Sequence, residues 1–173
     1  MRRAPRVRGA VLLVAVLAGI AGALEEYVPL LAQSTGVGVP AVPSLVLLVM
    51  AGMAVGGWLA GRGTRWAAPA LAVAAGCLAA GALSGHPAGM VLVAAAFGIL
   101  EWAMAAAEAR LQDRVSDRAR ATVTSMASLG AEVVAILVFA AYALGSVWVG
   151  PAPLFALAAA ACLALAPALW RTG

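Results

Sequence analysis

Five glutamates fall within or at the edge of long apolar stretches, where an ionisable side chain is costly to bury. They are Glu25, Glu26, Glu101, Glu108 and Glu132. A carboxyl group at membrane depth usually faces a bundle interior or a water-filled cavity, where it can take up and release a proton. The pattern therefore indicates a proton or substrate pathway across a membrane. Its candidate residues are Glu25, Glu26, Glu101 and Glu132.

Helical geometry gives the expected depth of the central carboxyl groups. Glu132 lies about 11 residues into its apolar stretch, which places it roughly 16 Å deep and near the midplane. Glu101 lies about two thirds of the way across, at a rise of 1.5 Å per residue. Glu101, Ala105 and Glu108 are spaced i, i+4 and i+7, so we expect them to form one polar stripe on a helix.

A structural role for these carboxyl groups stays open at this point. A protonated carboxyl that hydrogen-bonds to a neighbouring helix is purely structural, and the residues alone favour neither role for Glu101 and Glu132. For Glu108 we expect an ion pair with a nearby arginine, such as Arg110 or Arg114. The Glu25–Glu26 pair can simply be solvated at the outer rim.

Composition indicates which elements position these residues. The chain has 173 residues, of which 65% are hydrophobic and 10% charged, and its mean hydropathy is +1.03. Because a membrane helix needs about 20 apolar residues, six helices use nearly the whole chain. We predict an all-α membrane protein with a single domain, 1–173. The six predicted spans are 8–32, 42–62, 66–85, 88–108, 121–146 and 152–170.

The arginines predict the orientation of the spans. All 11 basic residues are arginine, and they occur only before the first span, in alternate gaps between spans and after the last. They are Arg2, Arg3, Arg6, Arg8, Arg62, Arg65, Arg110, Arg114, Arg118, Arg120 and Arg171. Short arginine-rich segments stay in the cytoplasm. We therefore expect an integral, multi-pass cell-membrane protein with both termini cytoplasmic.

The first span has an alternative interpretation as a cleaved signal peptide. Arginines precede an apolar run, and Ala21, Gly22 and Ala23 resemble a cleavage site. Against cleavage, the apolar character resumes after Glu26. Retention of the helix also completes an even set of six, so we expect it to stay.

Several other classes of protein are disfavoured. The basic residues are dispersed over separate segments, whereas nucleic-acid binding requires them on one face. The common hydrolase, metalloprotease and nucleotide-binding motifs do not occur in the sequence. Cys77 and Cys162 lie within predicted spans without metal-ligand or disulfide spacing. We therefore predict no enzymatic activity, no cofactor, no metal site and no nucleic-acid partner.

Small residues predict close contacts between helices. Gly52 and Gly56 form a G-x-x-x-G motif, and Ala72, Gly76 and Ala80 form a similar row. Small side chains allow two helix backbones to approach each other within a membrane. Chance also produces such rows in a chain rich in alanine and glycine, so they indicate only compact packing.

Four segments together resemble transporters of the major facilitator superfamily. Segments 25–37, 41–44 and 51–62 resemble the seventh and eighth helices of that family, and 111–125 resembles the entry to the eleventh. The family's cytoplasmic loop motif is partly present, with Gly57, Leu59, Arg62 and Arg65 at matching positions. Gly61 replaces the acidic residue of the motif and Thr64 replaces its second glycine.

The resemblance implies that the chain corresponds to one six-helix half of a transporter. Such a half is an inverted 3+3 repeat, and the substrate binds between two halves near the midplane. The expected partners are the lipid bilayer and a second half, from a homodimer or a separate chain. The implied function is secondary active transport of a small molecule, with efflux as one candidate direction. Few polar residues in the spans favour a hydrophobic or amphiphilic substrate. The alternative is a non-transporting membrane partner or a truncated remnant.

Overall fold

The computed structural model describes residues 4–60, 62, 66–113 and 117–172. Within these residues the chain is entirely helical, with six α-helices joined by short connections. The helices are α1 (Ala4–Ser34), α2 (Val42–Trp58), α3 (Ala67–Leu83), α4 (Gly89–Asp113), α5 (Asp117–Gly145) and α6 (Pro151–Thr172). A short 3-10 turn, Val39–Ala41, precedes α2.

Four helices in the described part of the chain are long and apolar enough to cross a membrane. Their apolar segments are Val11–Ser34, Val39–Trp58, Gly89–Ala109 and Ala121–Gly145. Two shorter apolar segments, Pro69–Leu83 and Pro151–Pro167, lie in α3 and α6. The expectation of an all-helical protein with membrane-spanning segments is therefore confirmed by the helices and their apolar character.

Glycines in the left-handed region end two of the helices. Gly36 has φ of 83° after α1, and Gly85 has φ of 60° after α3. A residue with a Cβ rarely adopts this conformation, which turns the chain away from the helix axis. The hydroxyl of Ser34 donates to the carbonyl of Leu31 at 2.7 Å, and that of Ser84 donates to Gly81 at 2.7 Å. These bonds satisfy carbonyl groups of the last turns.

Helices α1 and α4 are the most buried elements of the bundle. Helix α1 packs against α5, α4, α6 and, over a smaller area, α2, whereas α4 packs against α2, α3 and α1. Helices α3 and α6 also pack against each other. Within an apolar window of 18 residues in each helix, 56% of the residues are buried in α1 and in α4, but only 17% in α2 and 6% in α5. Helices α2 and α5 therefore form the flanks of the bundle.

Glycine contacts explain two of the closest helix pairs. A Cβ atom on Gly56 would contact the carbonyl oxygen of Gly98, and one on Gly52 would contact that of Ala94, so α2 and α4 meet at their backbones. A Cβ atom on Gly19 would lie 2.5 Å from the carbonyl oxygen of Ala131 in α5. The G-x-x-x-G motif of α2 thus marks a real contact.

The small-residue row of α3 behaves differently. No atom lies within 4 Å of a Cβ atom placed on Gly76. This glycine faces away from the bundle, and the row that contains it marks no close backbone approach at this position.

Candidate functional site

The four candidate glutamates do not share one location. Glu25 and Glu26 are neighbours in sequence, but they lie on different faces of α1. Adjacent residues on a helix point about 100° apart, since one turn takes 3.6 residues. Glu25 is half-buried and lines a cavity, whereas Glu26 is exposed and lines none of the cavities described below. The site is therefore built around Glu25, Glu101 and Glu132.

The first cavity, here called the α1–α4 cavity, has a volume of about 200 Å³. Its carboxyl groups come from Glu25 of α1 and from Glu101 and Glu108 of α4. Met53 of α2 and Phe97 of α4 contribute apolar walls. The expected stripe of Glu101, Ala105 and Glu108 is present, since all three line this cavity.

The second cavity, here called the α1–α5 cavity, has a volume of about 240 Å³ and adjoins the first. Ala18 and Glu108 line both cavities. Glu132 of α5, an exposed residue, contributes the further carboxyl group. The two cavities thus bring together carboxylates from α1, α4 and α5 that are up to 107 residues apart in sequence, from Glu25 to Glu132.

Small residues of α1 create the space between these carboxylates. Ala18, Gly22 and Glu25 are spaced i, i+4 and i+7 and line the α1–α4 cavity together. A Cβ atom on Gly22 would meet no atom within 4 Å. This face of α1 is open, whereas Gly19, on a neighbouring face, is closed by its contact with α5.

Three uncharged polar residues of the site were missed by sequence reasoning. Gln112 of α4 and Thr124 and Ser128 of α5 line the α1–α5 cavity. Their signal was present in the spacing, because Gln112 follows Glu108 by four residues and Thr124, Ser128 and Glu132 recur at intervals of four. Each side chain can accept and donate hydrogen bonds, so they provide polar contacts beside the carboxylates.

Among the described residues, every charged side chain that lines these two cavities is a carboxylate. Glu108 and Glu25 are both close enough to Glu101 for their charges to act on it. Like charges repel strongly in a medium of low dielectric constant, and a bound proton or cation relieves this repulsion. The expected ion pairs of Glu108 with Arg110 or Arg114 fall on side chains outside the described residues.

Of the loop motif residues, Gly57 lies beside this site. A Cβ atom on Gly57 would lie 3.9 Å from the Cγ atom of Glu101, so the carboxylate-bearing side chain passes close to α2. Arg62 is fixed by two contacts: its Nη1 donates to the carbonyl of Trp58 at 3.2 Å, and its own carbonyl accepts from Nε1 of Trp102 at 2.8 Å. Arg65 lies outside the described residues.

No metal-binding group arises from these acids. In the ranges that the structure describes, no set of three or more His, Cys, Asp or Glu side chains is arranged to hold a metal ion. Cys162 is buried in the core and Cys77 is half-buried in α3, and both are free thiols. The described chemistry of the site is that of carboxyl, amide and hydroxyl groups.

Comparison with protein-family models, curated proteins and solved structures gives no match to this chain. The functional conclusion therefore depends on the geometry of the acidic cavities and on the class of protein that the helices define, a helical membrane protein.

Proposed function

We propose that this protein is a secondary active transporter of the major facilitator type, in which one six-helix half carries an acidic pathway. The observation that supports the proposal is the convergence of carboxylates from α1, α4 and α5 on two adjoining cavities. Carboxyl groups in membrane segments carry a large free-energy cost, and they mark ion, proton and substrate pathways. A structural hydrogen bond needs one carboxyl group, whereas the three acids of the α1–α4 cavity repel one another.

The packing pattern supports an inverted 3+3 repeat. An inverted 3+3 repeat exchanges α1 with α4, α2 with α5 and α3 with α6. Under this exchange the α1–α5 contact becomes α4–α2, and the α1–α6 contact becomes α4–α3. All four contacts are present. The α1–α4 and α3–α6 contacts transform into themselves. In the described part of the chain, the minor α1–α2 contact has no comparable α4–α5 counterpart. This near-symmetry is the one that half of a major facilitator would have.

The second six-helix half would complete the substrate pathway. Helix α5 exposes large apolar side chains, among them Leu129, Val133, Ile136 and Leu137. Such surface suits lipid or another helix bundle, and a second copy and a separate chain both satisfy the requirement. With both termini cytoplasmic, as the arginines predict, two halves can pair about an axis along the membrane normal.

The acidic cavities narrow the proposed substrate class. Among the described residues their charged side chains are carboxylates, and the remaining walls are mostly apolar. An amphiphilic cation fits both features, and it competes with protons for the same carboxylates. That competition would couple movement of the cation in one direction to movement of protons in the other, and so would support efflux.

Reconstitution tests the proposed function. The purified chain in liposomes with an imposed pH gradient is expected to accumulate ethidium, an amphiphilic cation, and to lose this activity when the gradient is collapsed. Neutral and anionic dyes of similar size serve as controls. The oligomeric state is measured in the same preparation. A strictly monomeric chain that moves none of the dyes would support the alternative, a non-transporting membrane partner or a remnant of a transporter.

Cysteine labelling tests whether the site is hydrated. In a background with Cys77 and Cys162 replaced by alanine, Gly22→Cys is expected to react with a cationic, membrane-impermeant thiosulfonate. Reaction requires a thiolate, which forms in water and not in lipid, so Val73→Cys on the exposed face of α3 should react at least about tenfold more slowly. Val73 is 56% exposed and lies outside both cavities. Equal, slow labelling of both sites would contradict a water-filled pathway.

A further inference from the structure

A large apolar groove runs along the outside of α2 and α4, separate from the acidic cavities. Its volume is about 590 Å³, larger than both acidic cavities together. Its walls include Leu48, Val55 and Leu59 on the α2 side and Ala95, Ile99 and Trp102 on the α4 side. Among the described residues, none lines both this groove and an acidic cavity. The groove is therefore separate from the proposed transport pathway.

The length of the groove matches one leaflet of a bilayer. From Leu48 to Leu59 the chain advances 11 residues, and Leu59 is still hydrogen-bonded in helical fashion to the carbonyl of Val55 at 3.0 Å. At 1.5 Å per residue this is roughly 16 Å. Half of a hydrocarbon core of roughly 30 Å is about 15 Å. The groove therefore has the length of one lipid acyl chain that extends from the headgroup level to about the midplane.

The glycines of the helix crossing create this space. Gly52, Gly56 and Gly98 line the groove and also form the backbone contact between α2 and α4. Because they have no side chains, the seam between the two helices is a shallow channel with larger side chains at its edges. Ala51 and Ala95, both exposed, keep the channel open towards the surface of the bundle.

A cation lies at one end of the channel. Arg62 lines the groove, and its guanidinium carbon is 5.1 Å from the centre of the Trp58 ring. In the described residues its side chain donates one hydrogen bond, to the carbonyl of Trp58, although a guanidinium has five N–H groups. The Trp102 indole holds the Arg62 backbone at 2.8 Å. The guanidinium is thus oriented but retains donors for an anion.

We propose that this groove binds an anionic phospholipid, with one acyl chain along the α2–α4 seam and its phosphate on Arg62. The ligand must be apolar over about 16 Å and negatively charged at one end, since the groove has that length and Arg62 lies at its end. A guanidinium favours phosphate through paired, charge-assisted hydrogen bonds. A second helix bundle would match the apolar wall but would leave the channel between the helices empty. Under the orientation that the arginines predict, the lipid belongs to the cytoplasmic leaflet, whose surface is anionic.

Binding of matched lipids tests this proposal directly. The chain is purified in detergent, and phosphatidylglycerol and phosphatidylcholine with identical acyl chains are added separately. Native mass spectrometry measures the bound lipid. The intact protein should prefer phosphatidylglycerol, and Arg62→Gln should weaken its binding about fivefold, as expected for one basic residue near a headgroup. Binding of phosphatidylcholine should change little, and Arg62→Lys should retain part of the preference.

A second pair of variants tests the acyl-chain part of the site without changing charge. Ala51→Phe places a ring in the groove, whereas Ala54→Phe adds the same ring to an exposed position of α2 that lines neither the groove nor the acidic cavities. Only Ala51→Phe should reduce phosphatidylglycerol binding. Glycerol phosphate at millimolar concentration should not displace the lipid. Equal binding of the two lipids to the intact protein, an unchanged preference in Arg62→Gln, or displacement by glycerol phosphate would each overturn the proposal.

Discussion

Gly56→Ala is expected to destabilise the protein by about 1–3 kcal/mol, the usual range for an overpacked contact. The added methyl group would meet the carbonyl oxygen of Gly98, a backbone atom that moves only if α2 and α4 separate. Alanine also favours a helix over glycine by about 1 kcal/mol, which acts in the opposite direction. The steric term should prevail here because the neighbouring atom belongs to a helix backbone and not to a flexible side chain. The measurement is thermal unfolding of the purified protein in detergent.

Gly76→Ala is the matched control for this prediction. Gly76 also lies inside an apolar helix, but a Cβ atom there would meet nothing within 4 Å. The helix-propensity gain then acts alone, so this variant should be unchanged or more stable by up to about 1 kcal/mol. The two substitutions are chemically identical, but only Gly56→Ala should lower the stability of the protein. If Gly56→Ala were as stable as Gly76→Ala, α2 and α4 would not touch at their backbones.

These two glycines also show how far sequence reasoning extends. Both occur in rows of small residues at intervals of four, and a row alone predicted close packing for each. Gly56 makes the contact and Gly76 does not. Spacing identifies which residues share a face of one helix, but it does not identify the helix opposite that face. The all-helical character was predictable because it depends on local hydropathy, whereas the helix pairs depend on contacts between distant segments.

The acidic site was also predictable in part, because spacing shows which residues share a face of one helix. The stripe of Glu101, Ala105 and Glu108 follows from helical spacing, and the three residues line one cavity. The sequence did not separate Glu25 from Glu26, because their roles depend on which side of α1 faces α4. Nor did it place Glu132 beside Glu108, since that requires α1 to bring α4 and α5 together at Ala18. The sequence thus indicated which side chains could do chemistry, but not which of them line the same cavity.

Glu101→Gln and Glu132→Gln should each uncouple ethidium accumulation from the pH gradient without lowering the amount of protein in the membrane. Glutamine keeps the size and hydrogen-bonding capacity of glutamate but cannot exchange a proton. Coupling between two ligands is typically 1–3 kcal/mol, so the stimulation by the gradient should fall by at least about fivefold. Glu101 should show the larger effect, because Glu25 and Glu108 act on it electrostatically within one cavity.

Glu26→Gln provides the matched control for both variants. It removes the same charge from the same bundle, at a position that lines neither acidic cavity. Coupling in this variant should therefore equal that of the unmodified protein. A purely structural role for the carboxyl groups of Glu101 and Glu132 makes a different prediction, because glutamine can replace a protonated carboxyl in a hydrogen bond to a neighbouring helix. Stability and gradient-driven accumulation would then both survive in Glu101→Gln and Glu132→Gln. Unchanged coupling in these two variants would remove the carboxylates from the transport mechanism, even if the cavities still carry the substrate.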